Sequence, residues 1–184
     1  SGGVDTLRAL GVEHGFDVVV VEDVGDGTRW SSSAVRSALA EGQVAAAARI
    51  LGRPHRVVGT VVHGHHRGRE LGYPTANLCA ETVGLVPAEG VYAGWLITDV
   101  DKPEKAFRHA AAISIGTNPT FDGTERRVEA YALDRDDLDL YGTHVAVEFA
   151  ARIRDTLRFD SVEALLDRMA DDCKVAREIT DGAA

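Results

Sequence analysis

Between Gly59 and Asn77 the chain reads GTVVHGHHRGRELGYPTAN, in which Gly59, Gly64, Gly68 and Gly72 bracket Arg67 and Arg69. Glycine-rich backbone after a strand brings amide N–H groups close to phosphate oxygens, and arginine adds charge and a donor fork. The stretch is not a Walker A loop, because it lacks GK[ST] and no lysine follows its glycines. Spacing leaves two readings open: a phosphate cradle built from Gly64, Arg67, Gly68 and Gly72, or a turn region with solvated arginines. Thr75 and Asn77 follow Pro74 directly. A hydroxyl and a carboxamide oxygen are hard donors suited to Mg²⁺. Both are neutral, so the charge that holds a metal must come with the ligand, as it does when Mg²⁺ arrives on a nucleoside triphosphate. Their i, i+2 spacing in an extended segment points both side chains the same way. The alternative is a proline-initiated turn with local side-chain hydrogen bonds.

Glu129 lies in RVEAYALD, on the strand face that also carries Tyr131 and Leu133, while Val128, Ala130 and Ala132 make the opposite face apolar. A carboxylate on an apolar strand face is costly unless paired or used. As a general base Glu129 would have to touch a substrate hydroxyl; its structural alternative is an ion pair with Arg126 or Arg127. His63, His65 and His66 invite a zinc reading, but no cysteine or carboxylate at ligand spacing completes a site, so they are read as decorating the mouth of the glycine loop. SIGTNPTFDG, Ser114 to Gly123, reads as a strand entering a turn-rich loop that contains Asn118, either a ligand loop at a barrel end or a long hairpin connection.

The elements that must position these residues change character near Pro54. Before it, Val4, Leu7 and Leu10 have helical spacing, FDVVVVEDV (Phe16 to Val24) reads as a strand buried on both faces, and two short helices follow. The first of these begins at a cap among Ser31 to Ser33 and stops at Gly42; the second ends at Gly52 and Pro54. This is a helix-strand-helix α/β fragment too short for a full doubly wound domain. After Pro54 the chain is mainly β, with strand-like runs at 55–64, 91–100, 109–116, 127–134 and 144–154, consistent with a closed antiparallel barrel or a sandwich. In the last run Val145, Val147, Phe149, Ala151 and Ile153 alternate with Glu148 and Arg152. A C-terminal helix starts with Asp160 and Glu163 in capping-box spacing and carries Val162, Leu165, Leu166, Met169, Cys173 and Ala176 on one face.

The chain has 184 residues and a net charge of −9, which argues against a duplex-binding protein but not against a small phosphorylated ligand. No apolar run reaches ~18 residues, so no membrane span is expected. No export signal is read at the N-terminus, and Cys79 and Cys173 read as reduced thiols, so a cytoplasmic setting is expected.

Taken in order, RGRELGYPTANL, GVYAGW, SIGTNPTF, VEAYALD…DLYG and the final RIRDTLRFDSVEALLDRMADDCKVAR resemble riboflavin kinase, in the form of the kinase module of bacterial bifunctional riboflavin kinase/FAD synthetases. The resemblance implies a six-stranded antiparallel Greek-key barrel with a C-terminal helix over residues 55–184. It implies Mg-dependent transfer of the ATP γ-phosphate to riboflavin, giving FMN. By position, Thr75 and Asn77 match the metal and phosphate ligands, Glu129 the catalytic carboxylate, and the loop through Gly64, Gly68 and Gly72 the flap over ATP. Arg154 matches the region that closes over flavin and nucleotide, and Asn118 is the second flavin-side candidate. WSSSAVRSALAEG resembles the motif that closes the nucleotidyltransferase module, where Ser32, Ser33 and Arg36 would help bind ATP; residues 1–54 are then the tail of that module. The HxGH-type motif that opens the adenylyltransferase site does not occur. The rival reading is a non-catalytic flavin- or nucleotide-binding barrel. Given ATP and riboflavin, these residues are expected to yield FMN; given ATP and FMN, no FAD. Chromatography of the flavins checks both, and FAD formed from FMN would overturn the reading of residues 1–54.

Overall fold

The computed structural model of the chain describes residues 3–21, 30–64, 72–120 and 123–183, without the side chains of 118–120 and 123–125. It divides into two compact units, Ser1–Trp30 and Ser31–Ala184.

In the first unit, α1 (Val4–His14) ends at Gly15, whose φ of 74° gives the left-handed turn that glycine adopts without strain. The valine run that follows does not become the expected strand. Among the described residues, Phe16 to Val21 pairs with no other segment, and Val19 and Val21 are 85% and 82% exposed. A strand exists only through a neighbour's hydrogen bonds, and the described part of this unit holds no second strand. The rest of the run, 22–24, lies outside the described residues.

The second unit opens with α2 (Ser32–Ala40) and α3 (Val44–Leu51). Ser31, the first of the serines, is the cap: its side chain accepts from the Ala34 N–H at 3.2 Å. Gly52 closes α3 at φ 67°. Leu39, Val44 and Ala47 are buried in the same apolar cluster as the inner faces of the strands, and the Ala88 N–H donates to the Leu39 carbonyl at 2.9 Å.

The strands β1 (His55–Val62), β2 (Ala76–Leu78), β3 (Gly90–Thr98), β4 (Phe107–Thr120), β5 (Gly123–Ala132) and β6 (His144–Arg154) close into an antiparallel barrel in the order β1-β2-β5-β4-β3-β6. β3, β4 and β5 form a meander and β6 crosses back between β3 and β1, the Greek-key return. Closure removes sheet edges and lets alternating residues fill the interior: Val57, Val61, Tyr92, Ile113, Ile115, Val128, Ala130, Val147 and Phe149 are all at most 3% exposed. The sixth strand is the short extended segment after Pro74. Where a turn-rich loop was one expectation for Ser114 to Gly123, the β4–β5 ladder instead continues to Thr120 opposite Gly123, a long hairpin. The regular alternation expected through Ile153 also breaks. Register shifts between Val91 and Tyr92, and between Ala93 and Gly94, pair Tyr92 with Arg152 but Gly94 with Phe149.

The C-terminal helix α4 (Val162–Asp181) is capped by Ser161, whose side chain accepts from the Ala164 N–H at 3.1 Å, rather than by Asp160 one residue earlier. Its apolar stripe begins after Val162, which is 52% exposed. Ala176, Cys173 and Ile179 pack on the outer faces of β3 to β6 against Ala93, Ala110, Ala112, Tyr131 and Ile153. Arg154 at the end of β6 fixes the helix with a bidentate pair to Asp172, with contacts of 2.6–3.0 Å. Leu39→Ala removes a side chain at 1% exposure from the barrel's own cluster, so urea unfolding should show a loss of about 3 kcal/mol. A loss under about 1 kcal/mol would mean that α2 only rests on the barrel.

Candidate functional site

Strand register gathers the site. Asn77 on β2 sits directly opposite Glu129 on β5, and Glu129 sits opposite Ser114 on β4. The same rung continues through Val91 on β3 to Arg154 on β6, and Val62 on β1 flanks Asn77 on the other side. Neighbours on β5 show which face this is: Val128 and Ala130 are buried inside, so Glu129 points outward. Directly opposed residues of an antiparallel pair have Cβ atoms about 5 Å apart, so the Asn77 carboxamide and the Glu129 carboxylate share one small patch of outer surface.

Thr75 joins them. Asn77 Nδ2 donates to Thr75 Oγ1 at 3.0 Å and to the Thr75 carbonyl at 3.2 Å, so the two side chains do lie on one face. That contact uses the amide's nitrogen edge and leaves Oδ1 outside it. The threonine hydroxyl accepts one bond and keeps its second lone pair and its proton. Asn77 is 8% exposed, so its amide is held rather than swinging in solvent. Gly72 has a φ of 83°, the left-handed turn that leads into Tyr73, Pro74 and Thr75.

The wall beside this patch is aromatic. Tyr131, two residues beyond Glu129 on the same face, meets Tyr73 edge to face at a centroid distance of 5.1 Å. Burial raises the Tyr131 phenol above its ordinary range, with Cys173, Asp134 and Tyr73 adding to the shift. Cys173 on α4 backs this wall, and burial, reinforced by Asp172, pushes its thiol up to about 11. Tyr73, Tyr131 and Ser114 are therefore neighbours of the polar cluster. Only Tyr131 was readable in advance, through strand alternation; Ser114 needed the β4–β5 register, and Tyr73 needed the path of the loop.

Other candidates fall elsewhere. Arg67 and Gly68, with Arg69, His65 and His66, lie outside the described residues. Gly64 follows β1 and packs on Asn77. His63 stacks on Tyr141 at 4.1 Å, and among the described residues no group of three His, Cys, Asp or Glu side chains could hold a metal. Arg154 shares the rung of Glu129 but is separated from it by β4 and β3, and its guanidinium is engaged with Asp172. Asn118 is on β4 opposite Glu125, with its side chain outside the description. Ser32, Ser33 and Arg36 occupy the first turns of α2, where Arg36 Nη2 donates to Ser33 Oγ at 3.3 Å.

The donor set fits a metal that brings its own ligands. Thr75 and Asn77 offer two neutral oxygens on one face with a carboxylate on the adjacent strand. Such a set suits Mg²⁺ carried on phosphates, since that ion keeps several ligands beyond the protein's.

The model of the family described as "Flavokinase: Riboflavin kinase" matches residues 51–180. A curated relative from Escherichia coli K12, named bifunctional riboflavin kinase/FMN adenylyltransferase, is 38% identical over 94% of this chain and 53% of its own length. One of the same name from Pseudomonas fluorescens is 38% identical over 97% of this chain and 55% of its own. The chain thus spans about half the length of the curated relatives it matches. Among solved structures, a Streptococcus pneumoniae protein described as a macrolide-efflux protein has a TM-score of 0.83 at 36% identity, covering 96% of this chain and 55% of that one. Its description differs from the curated names and is said of that protein alone; the likeness carries the fold. No helix among the described residues is long and apolar enough to cross a membrane.

With the Cys173 thiol at about 11, roughly 0.1% is thiolate at pH 8, against about a quarter for an ordinary cysteine. Iodoacetamide at pH 8, followed by peptide mass spectrometry, should label Cys173 on the order of a hundredfold more slowly than a model thiol. Labelling at the model rate would show that α4 does not seal the back of Tyr131.

Proposed function

The chain belongs to the riboflavin kinase family, and on that premise we propose that it transfers the γ-phosphate of ATP to the ribityl 5′-hydroxyl of riboflavin, giving FMN and ADP. The observation that carries the reading is the register that sets Asn77, hydrogen-bonded to Thr75, opposite Glu129. A binding barrel needs donors for phosphate; it does not need a carboxylate beside them. A phosphotransferase does, because the attacking hydroxyl must be oriented and must lose its proton.

Glu129 accepts the hydroxyl proton as the oxygen attacks the γ-phosphorus in line and the bond to the ADP oxygen breaks. Thr75 and Asn77 hold the nucleotide end of the reaction against β2. Mg²⁺ entering with ATP would be held by Thr75 Oγ1 and Asn77 Oδ1 and would neutralise charge on the phosphates. Glycine-loop residues Gly64, Arg67, Gly68 and Gly72 belong to the nucleotide side of this reading. Arg154 and Asn118 are its flavin-side residues, and the Arg154–Asp172 pair supports a role for Arg154 in positioning α4 beside the flavin.

The longer relatives support a second proposal. Residues 1–54 correspond to the tail of an FMN adenylyltransferase module, with Ser32, Ser33 and Arg36 as its nucleotide motif and the longer protein making FAD from FMN and ATP. Residues 55–184 are the kinase module, although α2 and α3 share its apolar cluster. Both substrates are small soluble molecules, in keeping with a cytoplasmic protein.

Glu129→Gln keeps the shape and loses the base, so kcat should fall by about 10²–10⁴ with KM for riboflavin little changed. Asn77→Ala should raise KM for MgATP by about tenfold. Steady-state assays of FMN formation separate the two effects. Near-normal turnover in Glu129→Gln would remove the base, and an unaltered MgATP requirement in Asn77→Ala would remove the ligand.

A further inference from the structure

We propose that Gly64 is a positioning residue: its missing side chain is the space in which the Asn77 carboxamide is held, in the orientation that meets the metal of the nucleotide. This rests on the magnesium–nucleotide reading of Asn77 given above. It assigns Gly64 a role that a phosphate cradle does not, because the glycine acts through Asn77 and not through its own amide.

A methyl group on Gly64 would lie 2.7 Å from Cγ, Nδ2 and Oδ1 of Asn77 alike. Equal distance to three atoms of a planar group puts the methyl over the face of the amide. Gly64 therefore covers the π-face and leaves both hydrogen-bonding edges open. One edge, Nδ2, is spent on Thr75 at 3.0 Å and 3.2 Å. The other edge, Oδ1, is the one a metal uses.

Conformational freedom does not account for a glycine here. Gly64 is not among the glycines with positive φ, so alanine meets no backbone strain at this position. Gly72 is the contrast: its φ is 83°, yet a methyl group there would meet none of the described residues within 4 Å. One glycine is required by the turn, the other by its neighbour. A displaced side-chain end often moves at little cost, but Asn77 is 8% exposed and bound twice to Thr75. It lies on β2, paired to β1 through Val62 and to β5 through Glu129, so its backbone cannot retreat. The carboxamide must turn, and turning it breaks the Thr75 contact and re-aims Oδ1.

The test is a double-mutant cycle on this chain, read in two ways. Thermal unfolding without ligand reads the packing, and calorimetric titration with ADP and Mg²⁺ reads the metal site. Gly64→Ala is expected to lower Tm by roughly 3–6 °C and to weaken MgADP binding by about tenfold. In an Asn77→Ala background, where the planar group is gone, the same substitution should cost under 1 °C and under twofold. In an Asn77→Asp background, which keeps the planar group, the Tm loss should match that in the native chain. Equal Tm losses in the Asn77→Ala and native backgrounds would overturn the proposal, as would a Gly64→Ala protein with native Tm and affinity. Should Gly64→Ala fail to fold, recovery of cooperative unfolding in Gly64→Ala with Asn77→Ala supports the proposal, and failure of that pair too overturns it. Absence of MgADP binding in the native chain would instead sink the nucleotide reading, and the ligand-free Tm cycle would still decide the packing.

Discussion

A strand of three residues holds the candidate site in place. β2, Ala76 to Leu78, is the only element that links β1 to β5 among the described residues, so the barrel closes through it. Its inward side chains, Ala76 and Leu78, must enter the core, and that demand fixes its register. A shift of one residue would turn Asn77 inward and Leu78 outward. Closure of the core and assembly of the polar cluster are thus one event. Asn77 faces Glu129 because Ala76 faces Ala130.

The same logic explains why the candidate site is on the outer face of the barrel. The interior is packed with Tyr92, Phe149, Ile113 and the valines of β1 and β6, and has no room for a nucleotide. Outward positions divide between two uses. α4 covers the alanine-rich patch of β3 and β4, held by Arg154 and Asp172. Elsewhere on the outer face a buried Glu148 binds Arg56 and Arg108, and Arg108 lies 3.4 Å above Trp95. Between these covered regions runs the rung from Asn77 to Ser114, beside the Tyr131–Tyr73 pair.

Much of this was legible in the sequence because the signals were local. Strand-like runs between turn-rich stretches marked five strands, and apolar spacing with serine, acidic and glycine punctuation marked the helices. The spacing of Thr75 and Asn77 announced their shared face. What was not legible was non-local. The valine run at Phe16 to Val21 has every local mark of a strand, but strand formation needs a partner that local composition does not supply. The bulges that pair Tyr92 with Arg152 cannot be read from one strand alone. Arg154 was a flavin-side candidate through the family resemblance; that it pairs with Asp172, eighteen residues later, only the fold shows. For Asn118 the sequence left a ligand loop and a long hairpin open, and only the β4–β5 register decides for the hairpin.

The apolar cluster shared by α2, α3 and the strands has a bearing on how such a protein can be inherited. Sequence character changes near Pro54, but Leu39, Val44 and Ala47 are as deeply buried as the barrel's own valines. A lineage that exchanged or discarded whatever lies upstream would have to retain Ser31 to Leu51 as part of the barrel's interior. Ser32, Ser33 and Arg36 sit on that retained helix. All three are exposed, so packing would keep the helix but not these side chains, and their persistence in a descendant would record a chemistry of their own.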